Sequence, residues 1–150
     1  MLFRSRDGKA PDAHLLDTMQ RALGHRGPDG SGRHVAAGVG LVQTRLAIID
    51  LSTGDQPLFG PGHSVLVANG EIYNYLELRR EFAGENFATN SDCELPLYAY
   101  KRDGADFARD LRGMYAVALA DAKKNVLLLA RDPFGIKPLY YAEKIGRAHV

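Results

Sequence analysis

Two short apolar segments late in the chain, residues 114–120 and 126–130, are separated only by the polar run 121–125. Apolar segments of strand length with a short polar connection are typical of two antiparallel strands joined in a hairpin. A longer segment at 39–50 is rich in β-branched and apolar residues and predicts another strand, interrupted by a turn or bulge. Shorter strand candidates are 64–68 and 139–142.

The first helix signal lies between Asp12, a candidate N-cap, and Gly24, a candidate stop. Apolar residues recur between them at helical spacing and form one face, made of Leu15, Leu16, Met19, Ala22 and Leu23. Loops rich in Gly and Pro are predicted at 25–32 and 54–62. The pattern therefore predicts one amphipathic helix ahead of most of the strands.

Two later segments carry the capping-box pattern, in which a helix-starting residue is followed three positions later by Glu. Asn74 and Glu77 have this spacing and predict a helix that runs to about residue 82. Ser91 and Glu94 have it too, although a proline two residues further on leaves the first residue of that helix open. Because strands and helices do not alternate regularly, their order favours an α+β fold with a largely antiparallel sheet over a doubly wound parallel sheet.

Composition excludes several classes of protein. The chain has 150 residues, which fits one domain, and its net charge is +1 with no basic stripe that would indicate nucleic acid. No apolar run approaches the ~18 residues of a membrane span, and the first residues show no signal-peptide core, so a cytoplasmic location is expected. Cys93 is the single cysteine, which excludes an internal disulfide, and the five histidines lack metal-ligand spacing.

Five motifs occur together along the chain: HRGPD (25–29), RLAIID (45–50), NGEIYN (69–74), SDCE (91–94) and ARDPFGIKPLYY (130–141). Each alone has little specificity, but their joint order and spacing are highly specific. Together they resemble the amino-terminal class II glutamine amidotransferase domain of asparagine synthetases that use glutamine as nitrogen donor. The amino-acid sequences of the second and third motifs argue against amidotransferases of the amidophosphoribosyl and glucosamine-phosphate types.

The resemblance covers residues 1–143 and implies an N-terminal-nucleophile fold. This is a four-layer sandwich in which two antiparallel sheets lie between helical layers. The first strand of the domain is expected to be incomplete. Residues 144–150 depart from the family and are expected to be a non-native tail.

The resemblance also implies a glutamine site, made of Arg45, Leu46, Ala47, Ile48, Ile49, Asn69, Gly70, Glu71 and Asp92. Arg45 is expected to hold the α-carboxylate of glutamine, because a guanidinium can donate two hydrogen bonds to one carboxylate. Asp92, helped by Glu71, is expected to accept the ammonium group. The side chain of Asn69 and the backbone N–H of Gly70 are expected to form the oxyanion hole.

Several of these residues also have a purely structural interpretation. The dipeptide Asn69-Gly70 is favoured in hairpin turns, and Asp92 after Ser91 suits a helix N-terminus. The motif at 25–29 either contacts the site or only packs near it. The motif at 130–141 is expected to shape the end of the sheet rather than to contact glutamine.

The nucleophile of the family is absent from this sequence. Members of the family begin, once the initiator Met is removed, with Cys-Gly-Ile, and that thiol attacks with its own α-amine as base. Here the sequence starts Met1-Leu2-Phe3, so the fragment is expected to be inactive as written. Cys93 is a poor substitute because the neighbouring carboxylate of Asp92 raises a thiol pKa, and we expect Cys93 to be a small, half-buried packing residue.

For the intact enzyme, the resemblance implies that ammonia released from L-glutamine reaches an aspartate activated in a separate C-terminal synthetase domain. No cofactor is expected in the amidotransferase domain, and ATP and Mg²⁺ are expected only in the synthetase domain. No nucleic-acid or membrane partner is expected, and a homodimer is expected for the intact enzyme. Two alternatives stay open: a non-catalytic glutamine-binding pseudoenzyme module, and the amidotransferase domain of a related amide-forming enzyme.

Overall fold

A computed structural model describes residues 1–5, 7–36, 38–46 and 55–142. Within these residues, seven strands form two antiparallel sheets, and three α-helices lie on the outer faces of the sheets. The strands are β1 (Leu2–Arg4), β2 (Gly30–Ala36), β3 (Val39–Arg45), β4 (Leu58–Phe59), β5 (Ser64–Ile72), β6 (Gly113–Asp121) and β7 (Val126–Arg131). The helices are α1 (Ala13–Leu23), α2 (Tyr75–Glu81) and α3 (Leu95–Asp103).

The first sheet has the strand order β1-β3-β2, and the second has the order β4-β5-β6-β7. The predicted hairpin is confirmed, because β6 and β7 pair from Asp121 opposite Val126 to Ala116 opposite Arg131. All strand pairs in both sheets are antiparallel. The predicted α+β class with antiparallel sheets is therefore confirmed.

Side-chain alternation along β3 creates two separate apolar clusters. Val39 and Leu41 point one way and pack against Val65 and Val67 of β5, together with alanines of β6, so this cluster fills the space between the sheets. Val42 points the other way and packs against the apolar face of α1. Each face of the first sheet is thus covered, by α1 on one side and by the second sheet on the other.

The opposite face of the second sheet carries the largest core cluster. Leu66 of β5 and Leu119 of β6, both fully buried, pack there with residues of α2 and α3. The order of layers is therefore α1, first sheet, second sheet, then α2 with α3, which is the predicted four-layer sandwich. No helix among the described residues has both the length and the apolar character needed to cross a lipid bilayer.

The first helix follows its sequence signals closely. The side chain of Asp12 accepts a backbone N–H of the first turn at 3.1 Å, and α1 ends immediately before Gly24, as predicted. Leu16 and Met19 on the predicted apolar face are buried, whereas Ala22 is exposed. The narrow buried stripe shows that α1 rests on the first sheet along one row of side chains.

Asn74 stands where α2 begins, as predicted, but the predicted capping bond is not formed. Its Nδ2 donates to the carbonyl of Asp110 and its Oδ1 accepts from the N–H of Arg112, both at 2.9 Å. The side chain therefore ties the start of α2 to the segment that leads into β6. The capping-box interpretation was wrong for this residue because a distant backbone segment competes for the same amide.

Ser91 caps as predicted, since its hydroxyl accepts the N–H of Cys93 at 3.2 Å. One 3₁₀ turn, Asp92–Glu94, precedes α3, and Pro96 lies in the first turn of α3, where no N–H is needed. The reciprocal half of the capping box is missing because the carboxylate of Glu94 turns to the loop at 88–89 instead.

Two strand predictions and one loop prediction need correction. Residues 139–142 have no regular structure, and Tyr140 and Tyr141 are exposed. The predicted loop 54–62 contains the two-residue strand β4, and the strand predicted to end at residue 68 continues to Ile72. The predicted strand at 39–50 is observed as β3 up to Arg45, while 47–50 lie outside the described residues.

Candidate functional site

Asn69 and Gly70 lie inside a strand, so the hairpin-turn interpretation of this dipeptide is wrong. In the β5–β6 ladder, Asn69 faces Ala116 and Gly70 faces Tyr115. Gly70 has a φ of +141°, and a Cβ at this position would come within 1.9 Å of the Met114 carbonyl oxygen. Glycine is required here because the two strands approach too closely for a side chain.

Alternation along β5 places Asn69 and Glu71 on the same face as Val65 and Val67, which point toward the first sheet. These two polar residues therefore lie where the apolar space between the sheets ends. Asn69 is exposed and Glu71 is half-buried, so a ligand at this end can reach both. The end of β5 has the donors and the carboxylate that the sequence predicts for a glutamine site.

Arg45 is the last residue of β3 and lies on the same face of that strand as Val39 and Leu41. Its guanidinium thus points toward the second sheet. Only 11% of the side chain is exposed, and its Nη1 lies 2.6 Å from Oδ1 of Asp55. A charged group held this deep at the end of an inter-sheet space is well placed to bind an anion.

The short segment 55–56 connects Arg45 to the end of β5. Asp55 pairs with Arg45, and the next residue, Gln56, bonds the backbone of Ala68 through both ends of its side-chain amide. Gln56 Nε2 donates to the Ala68 carbonyl at 3.1 Å, and the Ala68 N–H donates to Gln56 Oε1 at 2.7 Å. Arg45 and Asn69 are therefore brought to the same end of the inter-sheet space.

Asp92 contacts the last residue of β5, just beyond Asn69 and Gly70. Its Oδ2 accepts the N–H of Ile72 at 2.5 Å, and the Sγ of Cys93 lies 3.7 Å from the Gly70 carbonyl oxygen. The 3₁₀ turn that carries Asp92 is thus fastened to the last residues of β5. The carboxylate of Asp92 therefore lies beside Ile72, the residue that follows Glu71 in β5.

Cys93 is more deeply buried than predicted, with 5% of the residue exposed. Burial raises the pKa of its thiol, and the negative charge of Asp92 raises it further. Both effects disfavour the thiolate, which is the nucleophilic form, so Cys93 is poorly suited to act as a nucleophile. The prediction that Cys93 does not replace the family's nucleophile is supported on this physical ground.

The motif at 25–29 packs on the backbone at the end of β3. A Cβ at Gly27 would come within 2.5 Å of the Thr44 carbonyl carbon, so only glycine permits this approach. The N–H of Asp29 donates to the carbonyl of Arg45 at 3.0 Å, and Pro28 forms an isolated bridge with Arg45. The motif therefore packs against the end of β3, and whether it also contacts a ligand stays a prediction.

Asp132 organises the motif at 130–141. Its carboxylate is buried and accepts four backbone N–H groups at 3.0–3.3 Å, those of Tyr115, Phe134, Ile136 and Lys137. Burial acts to raise the pKa of Asp132, but these donors outweigh it and the pKa is lowered. Because Tyr115 faces Gly70 in the ladder, the motif shapes the sheet beside the site.

The structure thus gathers Arg45, Asn69, Gly70, Glu71 and Asp92 around one end of the sandwich. Leu46 directly follows Arg45 and is exposed, while Ala47, Ile48 and Ile49 lie outside the described residues. Within the described part of the chain, no group of three or more His, Cys, Asp or Glu residues is arranged to hold a metal ion.

Sequence reasoning missed three residues of this region. Asp55 and Gln56 lie in a segment predicted only as a loop, and no local pattern indicates that they bond to β3 and β5. Gln43 precedes Arg45 by two residues on the same face of β3. Its buried Oε1 has no hydrogen-bond partner among the described residues.

Two antiparallel sheets between helical layers are the architecture of amidotransferases with an N-terminal-nucleophile fold. A family model described as a glutamine amidotransferase domain matches residues 3–150, and the chain belongs to this family. The fold is shared with the glutamine phosphoribosylpyrophosphate amidotransferase of B. subtilis complexed with ADP and GMP, at a TM-score of 0.61 and 24% identity. That likeness covers 77% of this chain and 33% of the other.

Curated relatives narrow the comparison to asparagine synthetases. The chain is 44% identical over 131 residues to glutamine-hydrolysing asparagine synthetase 2 of Bacillus subtilis (strain 168), covering 87% of this chain and 18% of the relative. It is 44% identical over 137 residues to the Asparagus officinalis enzyme, covering 91% and 23%. It is 44% identical over 124 residues to asparagine synthetase B of Escherichia coli (strain K12), covering 81% and 22%. The chain therefore spans 18–23% of the length of these relatives.

Proposed function

We propose that this chain is the glutamine-hydrolysing part of an asparagine-forming enzyme, which supplies ammonia for the ATP-dependent amidation of aspartate. The relatives named as glutamine-hydrolysing asparagine synthetases support the proposal. The observation that carries it is the meeting of Arg45 with Asn69 and Gly70 at one end of the inter-sheet space. A cation and hydrogen-bond donors at one end are the groups needed to bind the carboxylate and the side-chain amide of glutamine.

In this proposal each group of glutamine has its own partner. Arg45 binds the α-carboxylate, with the backbone of 46–49 beside it. Asp92 and Glu71 accept the ammonium group. The Asn69 side chain and the Gly70 N–H donate to the oxyanion that forms when the side-chain amide is attacked. Fixed donors aimed at this oxygen stabilise the transition state more than the substrate.

The register of β1 supports a place for the nucleophile. The α-amine of Met1 donates to the Val42 carbonyl at 2.5 Å, and the Val42 N–H donates to the Met1 carbonyl at 2.8 Å. These bonds continue the pairing of Leu2 with Leu41. Residues placed ahead of Leu2 in this register run along β3 toward Arg45. In a variant with Cys-Gly-Ile-Ala-Gly in place of Met1, the cysteine would come opposite Leu46, next to Arg45.

The experiment follows from this register. The variant with Cys-Gly-Ile-Ala-Gly ahead of Leu2, once its initiator Met is removed, should release glutamate from glutamine in a coupled assay. Serine in place of the new cysteine should abolish the activity, whereas Cys93→Ala should not change it. An inactive but folded variant that also fails to bind glutamine would contradict the proposed function.

The active variant separates the roles of the site residues. Arg45→Lys should raise KM for glutamine, because an ammonium cannot make the two-pronged contact with a carboxylate. Asn69→Ala should lower kcat by about 10²–10³, because the oxyanion develops only during attack. Asp92→Asn should raise KM. If Asn69→Ala changed only KM while Arg45→Lys changed only kcat, the assignment of these two roles would be wrong.

A second function is favoured by the state of the only thiol. Since Cys93 is buried and its pKa is raised, it is poorly suited to attack glutamine, and a non-catalytic glutamine-binding module is the second candidate function. Isothermal titration of glutamine into this chain, with glutamate assayed afterwards, tests that alternative directly.

The amidotransferase part of a related amide-forming enzyme is the other alternative, and the amide acceptor distinguishes it. The synthetase domain that would use ATP and Mg²⁺, and the homodimer, stay predictions.

A further inference from the structure

The two members of the Arg45–Asp55 ion pair differ strongly in exposure. Arg45 Nη1 lies 2.6 Å from Asp55 Oδ1, yet 11% of the Arg45 side chain is exposed against 85% of the Asp55 side chain. A guanidinium this deep requires anionic partners, because burying a charge without compensation is costly. A carboxylate this exposed loses little when it turns into water. The ion pair therefore stabilises the charge of Arg45 more than it stabilises the charge of Asp55.

The backbone of Asp55 is fixed although its side chain is exposed. The next residue, Gln56, makes two hydrogen bonds to Ala68, at 2.7 and 3.1 Å. On its other side, Gly32 of β2 approaches so closely that a Cβ there would come within 1.9 Å of the Gln56 carbonyl oxygen. Asp55 can consequently leave Arg45 by side-chain rotation alone, without movement of the segment that joins the two sheets.

We propose that Asp55 is an internal counter-ion of Arg45 that the α-carboxylate of the substrate displaces. The inference rests on the proposed function, which assigns Arg45 to the carboxylate of glutamine. Both anions are carboxylates, so the arriving group takes over the Nη1–H hydrogen bond while Asp55 turns into solvent. Asp55 thus stabilises the empty site but not the occupied one, and it sets the affinity for the substrate carboxylate.

This arrangement makes a prediction opposite to that of an ordinary supporting residue. Removing the charge of Asp55 destabilises the empty protein more than the complex, so glutamine should bind more tightly. A ligand that lacks the free carboxylate, such as L-glutamine α-amide, should gain nothing from the substitution. If Asp55 instead held Arg45 in its binding orientation, its loss would weaken glutamine binding.

Isothermal titration with the 150-residue protein tests the inference. In Asp55→Asn and Asp55→Ala, the Kd for glutamine should fall about three- to tenfold relative to the unchanged chain. Glu81→Gln is the matched control, because it removes one charge from a more evenly exposed pair, Glu81 with Arg102, at 3.0 Å. Its Kd should not change. Equal or weaker binding in both Asp55 variants would overturn the proposal.

A second arm needs no glutamine and uses sodium acetate as the probe carboxylate. At ionic strength matched with sodium chloride, acetate should raise the melting temperature of Asp55→Asn more than that of the unchanged chain or of Glu81→Gln. An equal rise in all three proteins would overturn the counter-ion role. If acetate acted selectively but no protein bound glutamine, the proposed function would fail while the counter-ion role of Asp55 stood.

Discussion

At the scale of single residues, the buried carboxylate of Glu94 binds the loop at 88–89 instead of completing the capping box that its motif predicts. It accepts the N–H groups of Ala88 and Thr89, each at 2.7 Å, and also the hydroxyl of Thr89 at 2.6 Å. Burial, and then the negative charge of Glu94, raise the pKa of nearby Tyr98 to about 12, so the Tyr98 hydroxyl stays protonated. Glu94 is therefore the anchor of the loop that leads into α3.

We predict that Glu94→Gln lowers the free energy of unfolding by about 2–4 kcal/mol, because the new amide turns a donor toward backbone donors in a buried site. Urea unfolding followed by circular dichroism measures the change. Glu81→Gln on the exposed surface is the control and should change stability by less than about 1 kcal/mol. Similar unfolding midpoints for the two variants would show that the loop is not anchored by Glu94.

The single thiol gives a second prediction at this scale. Because burial and the charge of Asp92 raise the pKa of Cys93, iodoacetamide at pH 8 should alkylate the folded protein more than about 100-fold more slowly than the protein in urea. Mass spectrometry over time gives both rates. The same chain should release no glutamate from glutamine above background. Fast alkylation of the native protein would contradict the buried position of Cys93.

At the scale of elements, the side chain of Gln56 continues the pairing of β4 with β5. Leu58 and Phe59 pair through their backbones with Leu66 and Val65, and the Gln56 amide then bonds the backbone of residue 68. A side-chain amide carries the same donor and acceptor as a peptide group, so it can take the place of one rung of the ladder. The strand that carries Asn69 is thereby held just before that residue.

We predict that Gln56→Ala destabilises the protein by about 2–4 kcal/mol, since the donor and acceptor of the buried Ala68 both lose their partner. Gln56→Glu should be destabilising as well, because a carboxylate can accept from the Ala68 N–H but cannot donate to the Ala68 carbonyl. Chemical denaturation gives the loss, and hydrogen exchange at the Ala68 N–H localises it. Unchanged exchange at Ala68 in either variant would show that the Gln56 side chain does not hold this part of β5.

At the scale of the whole molecule, two buried carboxylates make stability depend on acid. Burial acts to raise the pKa of Asp121, but the backbone N–H of Lys124 and the hydroxyl of Tyr100 outweigh it, and the pKa is lowered. The pKa of Asp132 is lowered in the same way by its four backbone donors. A carboxyl whose pKa is lower in the folded than in the unfolded state stabilises the fold above its unfolded pKa. This contribution is lost as pH falls through the folded pKa.

The melting temperature should therefore be nearly constant above about pH 5 and should fall progressively below about pH 4. Differential scanning calorimetry in buffers of matched ionic strength measures the profile. Asp132→Asn should melt at a lower temperature at neutral pH and should show a smaller further loss in acid. A variant that lost as much stability between pH 5 and pH 3 as the unchanged chain would exclude Asp132 as a source of the acid sensitivity.

Much of the local structure could be predicted from the sequence. Asp12 and Gly24 bound α1, and the polar run 121–125 joins β6 and β7 as the pattern indicates. Such features depend on residues close together in the chain, so a short window contains their cause. The five motifs went further, because their joint order identified the family that the comparison later showed.

Contacts between residues far apart in the chain determined the features that short stretches of sequence could not predict. Asn69-Gly70 has the composition of a turn, but pairing with β6 over its whole length made it strand. Asn74 and Glu94 each belong to a capping-box pattern, yet their side chains form hydrogen bonds with backbone groups elsewhere in the fold. A polar side chain bonds to whichever donor or acceptor the fold brings nearest, and the sequence does not show which one that is.

The sequence by itself therefore determined most of the helices and strands, their antiparallel class and the family, and it predicted the candidate residues Arg45, Asn69, Gly70, Glu71 and Asp92. Only the tertiary structure decided that Arg45 and Asn69 share one end of the inter-sheet space, and that Asp55 and Gln56 join them. The physical reason is that helix caps and strand periodicity are local. The packing of two sheets instead depends on pairings between residues far apart in the chain, which no local pattern encodes.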